Sequence, residues 1–230
     1  MGKEAIELKT IAHIRSDFTT KFGIPRQSGL VEDLKAKIVF EPEYRNPDAL
    51  RGIEGFSHLW LIWEFSESVR DKWSPTVRPP RLGGNTRVGV FATRSPFRPN
   101  PIGLSSVRLE RVEYNTKEGT VLHVSGADLL DGTPIYDIKP YLAFTDSHPD
   151  AVGGFSDAHI NDCVEVEFPE DLLSIISEKS RAGLVGVLAG DPRPSYQDDE
   201  DRVYGLDFAG YNIEFTVKDG KLTVCNVKIL

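Results

Sequence analysis

Apolar side chains recur at every second position through many short runs of this chain, the spacing of strands that bury one face; the 3.6-residue period of amphipathic helices is rare. Glu4 to Ile14 alternates through Ile6, Leu8, Thr10 and Ala12 and predicts a first strand, and Lys35 to Phe40 predicts a second. Phe56 to Phe65, Phe-Ser-His-Leu-Trp-Leu-Ile-Trp-Glu-Phe, is dense in aromatic and branched residues, which predicts a central, largely buried strand. Arg87 to Phe91, Leu104 to Tyr114, Thr120 to Val124 and Asp137 to Phe144 add further strands, with a hairpin around Lys117-Glu118-Gly119. Tyr211 to Val217 and Leu222 to Ile229 alternate around Asp219-Gly220, a type I′ turn signal. Helical signals are confined to a turn or two after Asn46-Pro47, and to Glu170 to Arg181, opened by Pro169.

Many short strands and few helices predict a mainly β fold, and closure into a compact antiparallel β-barrel removes the edges such strands would expose. The character of the chain changes after Gly153-Gly154, so residues 1–155 are expected to form the barrel domain and 156–230 a small α+β C-terminal domain. Two segments break the alternation. Phe22 to Gly29 is punctuated by glycine and proline and presents Arg26 and Gln27 on an irregular stretch. Arg70 to Asn85 is a basic, proline- and glycine-rich loop longer than ordinary connections.

A hydrophobic content of 40% supplies a core and excludes a disordered or collagen-like chain. No run approaches the roughly 18 apolar residues of a membrane span, and the N-terminus lacks the apolar core of a secretion signal, so a cytoplasmic location and no membrane partner are expected. Cys163 and Cys225 stand in no CxxC spacing, and His13, His123, His148 and His159 form no HExxH or i, i+4 pair, so no metal is expected. Glycine-rich nucleotide fingerprints and a nucleophile elbow are absent. The net charge of −8 conceals an asymmetry: Arg70 to Arg111 holds nine basic residues against two acidic ones, whereas Asp146 to Asp207 holds fifteen acidic residues against four basic ones. An anion-binding surface in the first two thirds fits that division, because local potential governs a charged ligand. Arginines scattered over several faces would produce the same counts.

Two segments could carry chemistry. In Thr93-Arg94-Ser95-Pro96-Phe97-Arg98-Pro99-Asn100-Pro101 three prolines in six residues fix their own φ and push Ser95, Arg98 and Asn100 out of helical conformation. A loop stiffened in this way presents Arg94, Arg98 and Asn100 at little further entropy cost, which suits a carboxylate or phosphate; a rigid connector whose arginines pair with acidic residues is the alternative. Asp131-Gly132-Thr133-Pro134 is a turn by composition, flanked by Asp128 and Asp137, whose carboxylates could accept hydrogen bonds from an amine or a ribose, or merely be solvated. His58 beside the aromatic strand is either a proton acceptor or a structural histidine.

Taken together, Pro25-Arg26-Gln27, Phe56-Ser57-His58-Leu59-Trp60, the segment Thr93 to Ser105, and Asp131 to Tyr141 resemble the TsaA-like, or TrmO, family of S-adenosylmethionine-dependent tRNA methyltransferases. Asp191-Pro192-Arg193-Pro194-Ser195-Tyr196 resembles the motif of that family's small C-terminal domain. The resemblance implies a homodimeric β-barrel that holds S-adenosylmethionine near the subunit interface. It implies methyl transfer to the exocyclic nitrogen of threonylcarbamoyl-adenosine 37 in threonine tRNA. The cofactor-contacting residues it implies are Pro25, Arg26, Gln27, His58, Leu59, Arg94, Leu104, Asp131, Gly132, Thr133 and Pro134.

The accepting nitrogen must lose a proton as the new bond forms, and Asp131 or His58 is the expected catalytic group that takes it. Arg94 is expected to hold a cofactor carboxylate. Arg98 with Arg78 or Arg81 is expected to meet tRNA phosphate, with Asn100 and Tyr136 also on the substrate side and Trp73 as a stacking candidate. Base 37 lies in a single-stranded loop, so recognition needs no duplex opening. A noncatalytic nucleotide- or RNA-binding barrel, and a methyltransferase acting on another acceptor, are the competing readings; methyl incorporation separates the first from an enzyme.

Overall fold

Inward-facing residues alternate with outward-facing ones along each long strand, and six such strands close on themselves. The computed structural model describes residues 6–69, 72–82, 84–159, 162–194 and 199–230, without the side chain of residue 81. In chain order the strands of the first part are β1 (Ala12–Arg15), β2 (Lys35–Phe40), β3 (His58–Glu64), the short pair β4 (Thr76–Val77) and β5 (Val88–Gly89), then β6 (Ile102–Thr116), β7 (Gly119–Ser125) and β8 (Pro134–Pro140). The closed barrel runs β1-β2-β7-β6-β3-β8, with every neighbouring pair antiparallel. Its interior is filled by Ile14, Ile38, Leu59, Leu61, Leu122 and Ile135, all fully buried. After α1 (Ala143–Asp146), the strand β9 (Glu165–Glu167), helices α2 (Glu170–Ile175) and α3 (Glu178–Ala189) and strands β10 (Tyr204–Phe208), β11 (Tyr211–Lys218) and β12 (Lys221–Ile229) follow. They build a four-stranded sheet in the order β10-β11-β12-β9, with β9 parallel to β12.

The antiparallel barrel and the small α+β part are therefore as the alternation predicts, and Asp219 and Gly220 take φ of +50° and +76°, the positive pair that a type I′ turn requires. Local departures have local causes. Strand structure begins only at Ala12, because Ile6 and Leu8 are exposed; the Glu4–Ala5 part of that expectation lies outside the described residues. The turn after Asn46 is 3-10 rather than α, capped by Asn46 Oδ1 accepting from the Asp48 N–H at 3.0 Å. The helix expected from Glu170 to Arg181 is two helices, broken where Ile176, 1% exposed, drops into the core, and the second runs on to Ala189. The strand expected from Asp137 to Phe144 starts and ends earlier, at Pro134 and Pro140, where proline lacks the N–H of a continuing ladder.

Residues 17–34 leave the barrel and pack on the other part. Phe18 (1% exposed) and Leu34 share a core with Leu184, Leu188, Leu206, Phe208 and Phe215, and the Phe18 and Phe208 rings meet edge-on at 5.2 Å. The Asp17 carbonyl also accepts from the Ala209 N–H at 2.9 Å. Helix α3 comes close to this segment because it carries glycines: a Cβ at Gly186 would lie 2.5 Å from a methyl of Val31, and one at Gly183 would lie 3.3 Å from the Asp33 carbonyl. The second core thus fixes the segment that carries Pro25, Arg26 and Gln27. Replacing Phe18 by Ala should cost about 3–5 kcal/mol and lower Tm by on the order of 10 °C in a calorimetric scan; a change of one or two degrees would show that the two parts are not joined through this ring.

Candidate functional site

Strand β3 ends and β6 begins at the same end of the barrel, since Glu64 pairs with Ile102 and Trp63 with Gly103. That end opens into a cleft of 1730 Å³. Its walls come from five stretches far apart in sequence: the segment around Ile24 to Gln27, the end of β3 and the turn after it, residues 74–80, Arg87 and the proline-rich loop with the start of β6, and Asp128, Leu130 and Thr133 before β8. The proline-rich loop holds its own shape. The Ser95 N–H donates to Thr93 Oγ1 at 3.2 Å, the Phe97 N–H to Ser95 Oγ at 3.3 Å, and the Arg98 guanidinium reaches back to the Thr93 carbonyl at 3.2 Å. Exposed Arg94 donates to the Gln27 side-chain oxygen, which ties this loop to the 24–27 wall across the cleft.

The floor is polar and wired. Gly103 leaves no room for a side chain, because a Cβ there would run into the Trp63 ring. Trp63, 6% exposed, therefore lies against β6 and donates its indole N–H to Ser105 Oγ at 2.9 Å. Ser105, fully buried, donates in turn to Asp128 Oδ1 at 2.6 Å. The Ser28 backbone N–H also serves the Asp128 carboxylate. Burial nevertheless raises the Asp128 carboxyl above the usual carboxylate range, with the Ser105 hydrogen bond and the Arg94 charge acting in the opposite direction. On the rim, burial and pairing with the Glu64 carboxylate push the Tyr136 hydroxyl up to about 12.

Of the residues singled out from sequence, Pro25, Arg26, Gln27, Arg94, Leu104 and Thr133 line this cleft, as do Arg78, Arg98 and Asn100. Others do not. His58 begins β3 at the opposite end of the barrel, six residues from Glu64 and so about 20 Å away along the strand, where it meets Ser57 and Tyr141. Leu59 is a fully buried core residue. The Asp131 carboxylate is turned away from the cleft: its Oδ1 accepts from the Ser16 N–H at 3.0 Å and its Oδ2 lies 3.9 Å from Arg15. Gly132 and Pro134 are occupied in the backbone pairing with β1, and Tyr136 reaches the cleft only through Glu64. The Arg81 side chain lies outside the described residues, as do Arg70 and the Ser195-Tyr196 end of the C-terminal motif. The sequence offered Asp128 only as one of the carboxylates around the 131–134 turn and gave Ser105 no role of its own. The available signal was Asp128's place in Ala-Asp-Leu-Leu, where apolar neighbours draw a carboxylate inward, against Asp131 beside a glycine turn.

Comparison with known proteins agrees with this architecture. The tRNA-methyltransferase O N-terminal domain matches residues 13–147, and the TrmO C-terminal domain matches residues 161–229. The chain belongs to the TrmO family. Its relatives include the tRNA (adenine(37)-N6)-methyltransferase of Escherichia coli, 41% identical over 96% of this chain and 97% of that one. A Pseudomonas aeruginosa protein provisionally assigned as an S-adenosylmethionine-dependent methyltransferase is 44% identical over 85% of this chain and 86% of its own. The crystal structure of TrmO from Pseudomonas aeruginosa superposes with a TM-score of 0.79 at 31% identity, covering 98% of this chain and 99% of that one. The family's N-terminal domain contains the barrel and every wall of the cleft up to Thr133, apart from Gly153, Phe155 and Ser156 at its margin.

The raised Asp128 carboxyl has a consequence for stability. Asp128 binds its proton more tightly in the folded chain than in the unfolded one, so its favourable contribution is complete below the ordinary carboxylate range and is lost as pH rises through the raised folded value. Asp128→Asn should therefore be at least as stable as the parent chain in urea melts at pH 7, with its relative advantage shrinking toward pH 4. A loss above about 2 kcal/mol at pH 7 would instead make the ionised carboxylate a net stabilising partner.

Proposed function

We propose that this chain transfers a methyl group from S-adenosylmethionine to the exocyclic nitrogen of adenosine 37 in tRNA, and that its acceptor is the threonylcarbamoyl-modified base of threonine tRNA. The observation that carries the reading is the convergence of the 24–27 segment, the Arg94 loop and Asp128 on one cleft in a chain related along its length to tRNA (adenine(37)-N6)-methyltransferases. The cleft suits such a donor in its chemistry. Arg94, steadied by Gln27, would hold the carboxylate of the amino-acid tail, and apolar Ile24, Phe97, Leu104 and Leu130 would cover the purine. S-adenosylmethionine, when bound, supplies the methyl group on a positively charged sulfur.

The chain's own residues then have three tasks. Gln27 and Arg94 fix the two walls of the cleft relative to each other, so that the alignment of reacting atoms on which such a displacement chiefly depends is built in before substrate arrives. Exposed Arg78 and Arg87, with Arg98, give the cleft mouth the positive potential that a phosphate backbone needs in an otherwise acidic chain. The apolar side chains of Ile24, Phe97, Leu104 and Leu130 and the proline-stiffened loop would limit water near the reacting nitrogen.

The proposed enzyme is a homodimer. Trp73 and Phe91 are stacked on each other beside the cleft while 50% and 72% exposed, and Leu104 on the same rim is 53% exposed. Apolar surface concentrated in this way suits a second copy that narrows the cleft. A tRNA substrate fits work in the cytoplasm.

Labelled methyl from S-adenosylmethionine should enter threonine tRNA that carries the threonylcarbamoyl group at adenosine 37, and not the same tRNA lacking it. Incorporation into neither, with donor binding intact, would turn the search to another acceptor; donor binding without any transfer would favour a binding module. Phe91→Asp should shift the mass measured by light scattering from dimer to monomer, and an unchanged mass would remove this rim from the interface.

A further inference from the structure

We propose that Asp128 is the catalytic residue that accepts the proton lost by the methylated nitrogen. The assignment rests on the tRNA methyltransferase reading above and deepens it, replacing Asp131 and His58 in the role that their sequence context suggested. Three observations carry it. Asp128 lines the cleft among the groups proposed to hold the donor, whereas the Asp131 carboxylate is committed to the Ser16 N–H and His58 stands at the far end of β3. The Asp128 carboxylate is oriented rather than free: Trp63 donates to Ser105, which directs the Ser105 hydroxyl proton at Asp128 Oδ1. The carboxylate also has charged-form partners in the Ser28 N–H and the Arg94 charge, so it is held, half-buried, on the floor of the cleft.

The chemistry needs a base at this point. The nitrogen of a threonylcarbamoyl-adenine is conjugated with both the purine and the carbonyl, and is a weak nucleophile until its N–H bond is broken. As the methyl carbon exchanges its bond to sulfur for a bond to nitrogen, the N–H electron pair stays on nitrogen and the proton passes to Asp128. Sulfur leaves as a neutral thioether, and Asp128 returns its proton to solvent through the open cleft. The charged groups that line the cleft with Asp128 are Lys21 and Arg26 on the 17–34 segment, Glu64 and Glu67 at and after the end of β3, Arg78, Arg87, and Arg94 and Arg98 on the proline-rich loop; β6 contributes only neutral residues, Ser105 among them. Of these, Arg94 acts on the Asp128 carboxyl directly.

Single-turnover methyl transfer to threonylcarbamoyl-modified tRNA, followed across pH 5–9, tests the assignment, with S-adenosylmethionine affinity titrated separately for each variant. Asp128→Asn should lower the rate by about a hundredfold or more while donor affinity stays within about threefold. Ser105→Ala removes a hydrogen bond that favours the carboxylate, so the acid limb of its rate profile should move to higher pH, a displacement that a purely structural role of Asp128 would not produce. A rate at saturating donor that falls less than tenfold in Asp128→Asn, a loss confined to donor affinity, or an acid limb unmoved in Ser105→Ala overturns the assignment. No transfer by the parent chain overturns the function reading itself, and is told apart from these by the parent's own rate.

Discussion

A carboxylate that gives up part of its water on folding needs neighbouring donors to replace it, and the Asp128 site is organised around meeting that condition. Gly103 supplies the space, Trp63 fills it, Ser105 is fixed by the Trp63 indole, and Asp128 is held by Ser105. Each step depends on the one before it and all three partners come from the antiparallel register of β3 on β6, in which Trp63 faces Gly103. Barrel closure is what makes that register rigid, because a closed sheet has no edge along which β3 could slip. The site is therefore an end of the barrel rather than a pocket added to it.

The other walls are held by different means. The 24–27 segment is positioned by the C-terminal core, through Phe18 and Val31 against β10 and α3, so the part of the chain after residue 160 shapes a cleft that lies almost entirely on residues before it. The Arg94 loop is positioned by prolines and by its own short hydrogen bonds, with little help from either core. Two walls of independent origin meet at the Arg94 and Gln27 contact. That arrangement places an exposed cation and a half-buried acid on the same cleft, which is a charge pattern suited to a zwitterionic donor.

Alternation of two made the barrel legible, because strands such as His58–Glu64 bury every second residue and write that pattern openly. The Asp219-Gly220 turn was legible for the same kind of reason: only two positive φ values fit, and few residues tolerate them. The continuation of α3 past Arg181 was not legible, because Gly183 and Gly186 lower helix propensity and their purpose, contact with residues 31–34, is tertiary. The stiff arginine loop and Pro25-Arg26-Gln27 could be found from local composition. His58 and Asp131 were drawn in by residue type, and the fold places the first at the opposite end of β3 from the cleft and the carboxylate of the second on the Ser16 N–H. Asp128 was legible only as one carboxylate beside a turn, because its links to Ser105 and, through Ser105, to Trp63 join residues distant in sequence.

The most direct measurement is a crystal structure with S-adenosylhomocysteine, the demethylated form of the proposed donor. Its carboxylate should lie at Arg94 and its sulfur inside the cleft between the proline-rich loop and Asp128. Density for the molecule at the His58 end of the barrel, or against Asp131 on the β1 side, would contradict it.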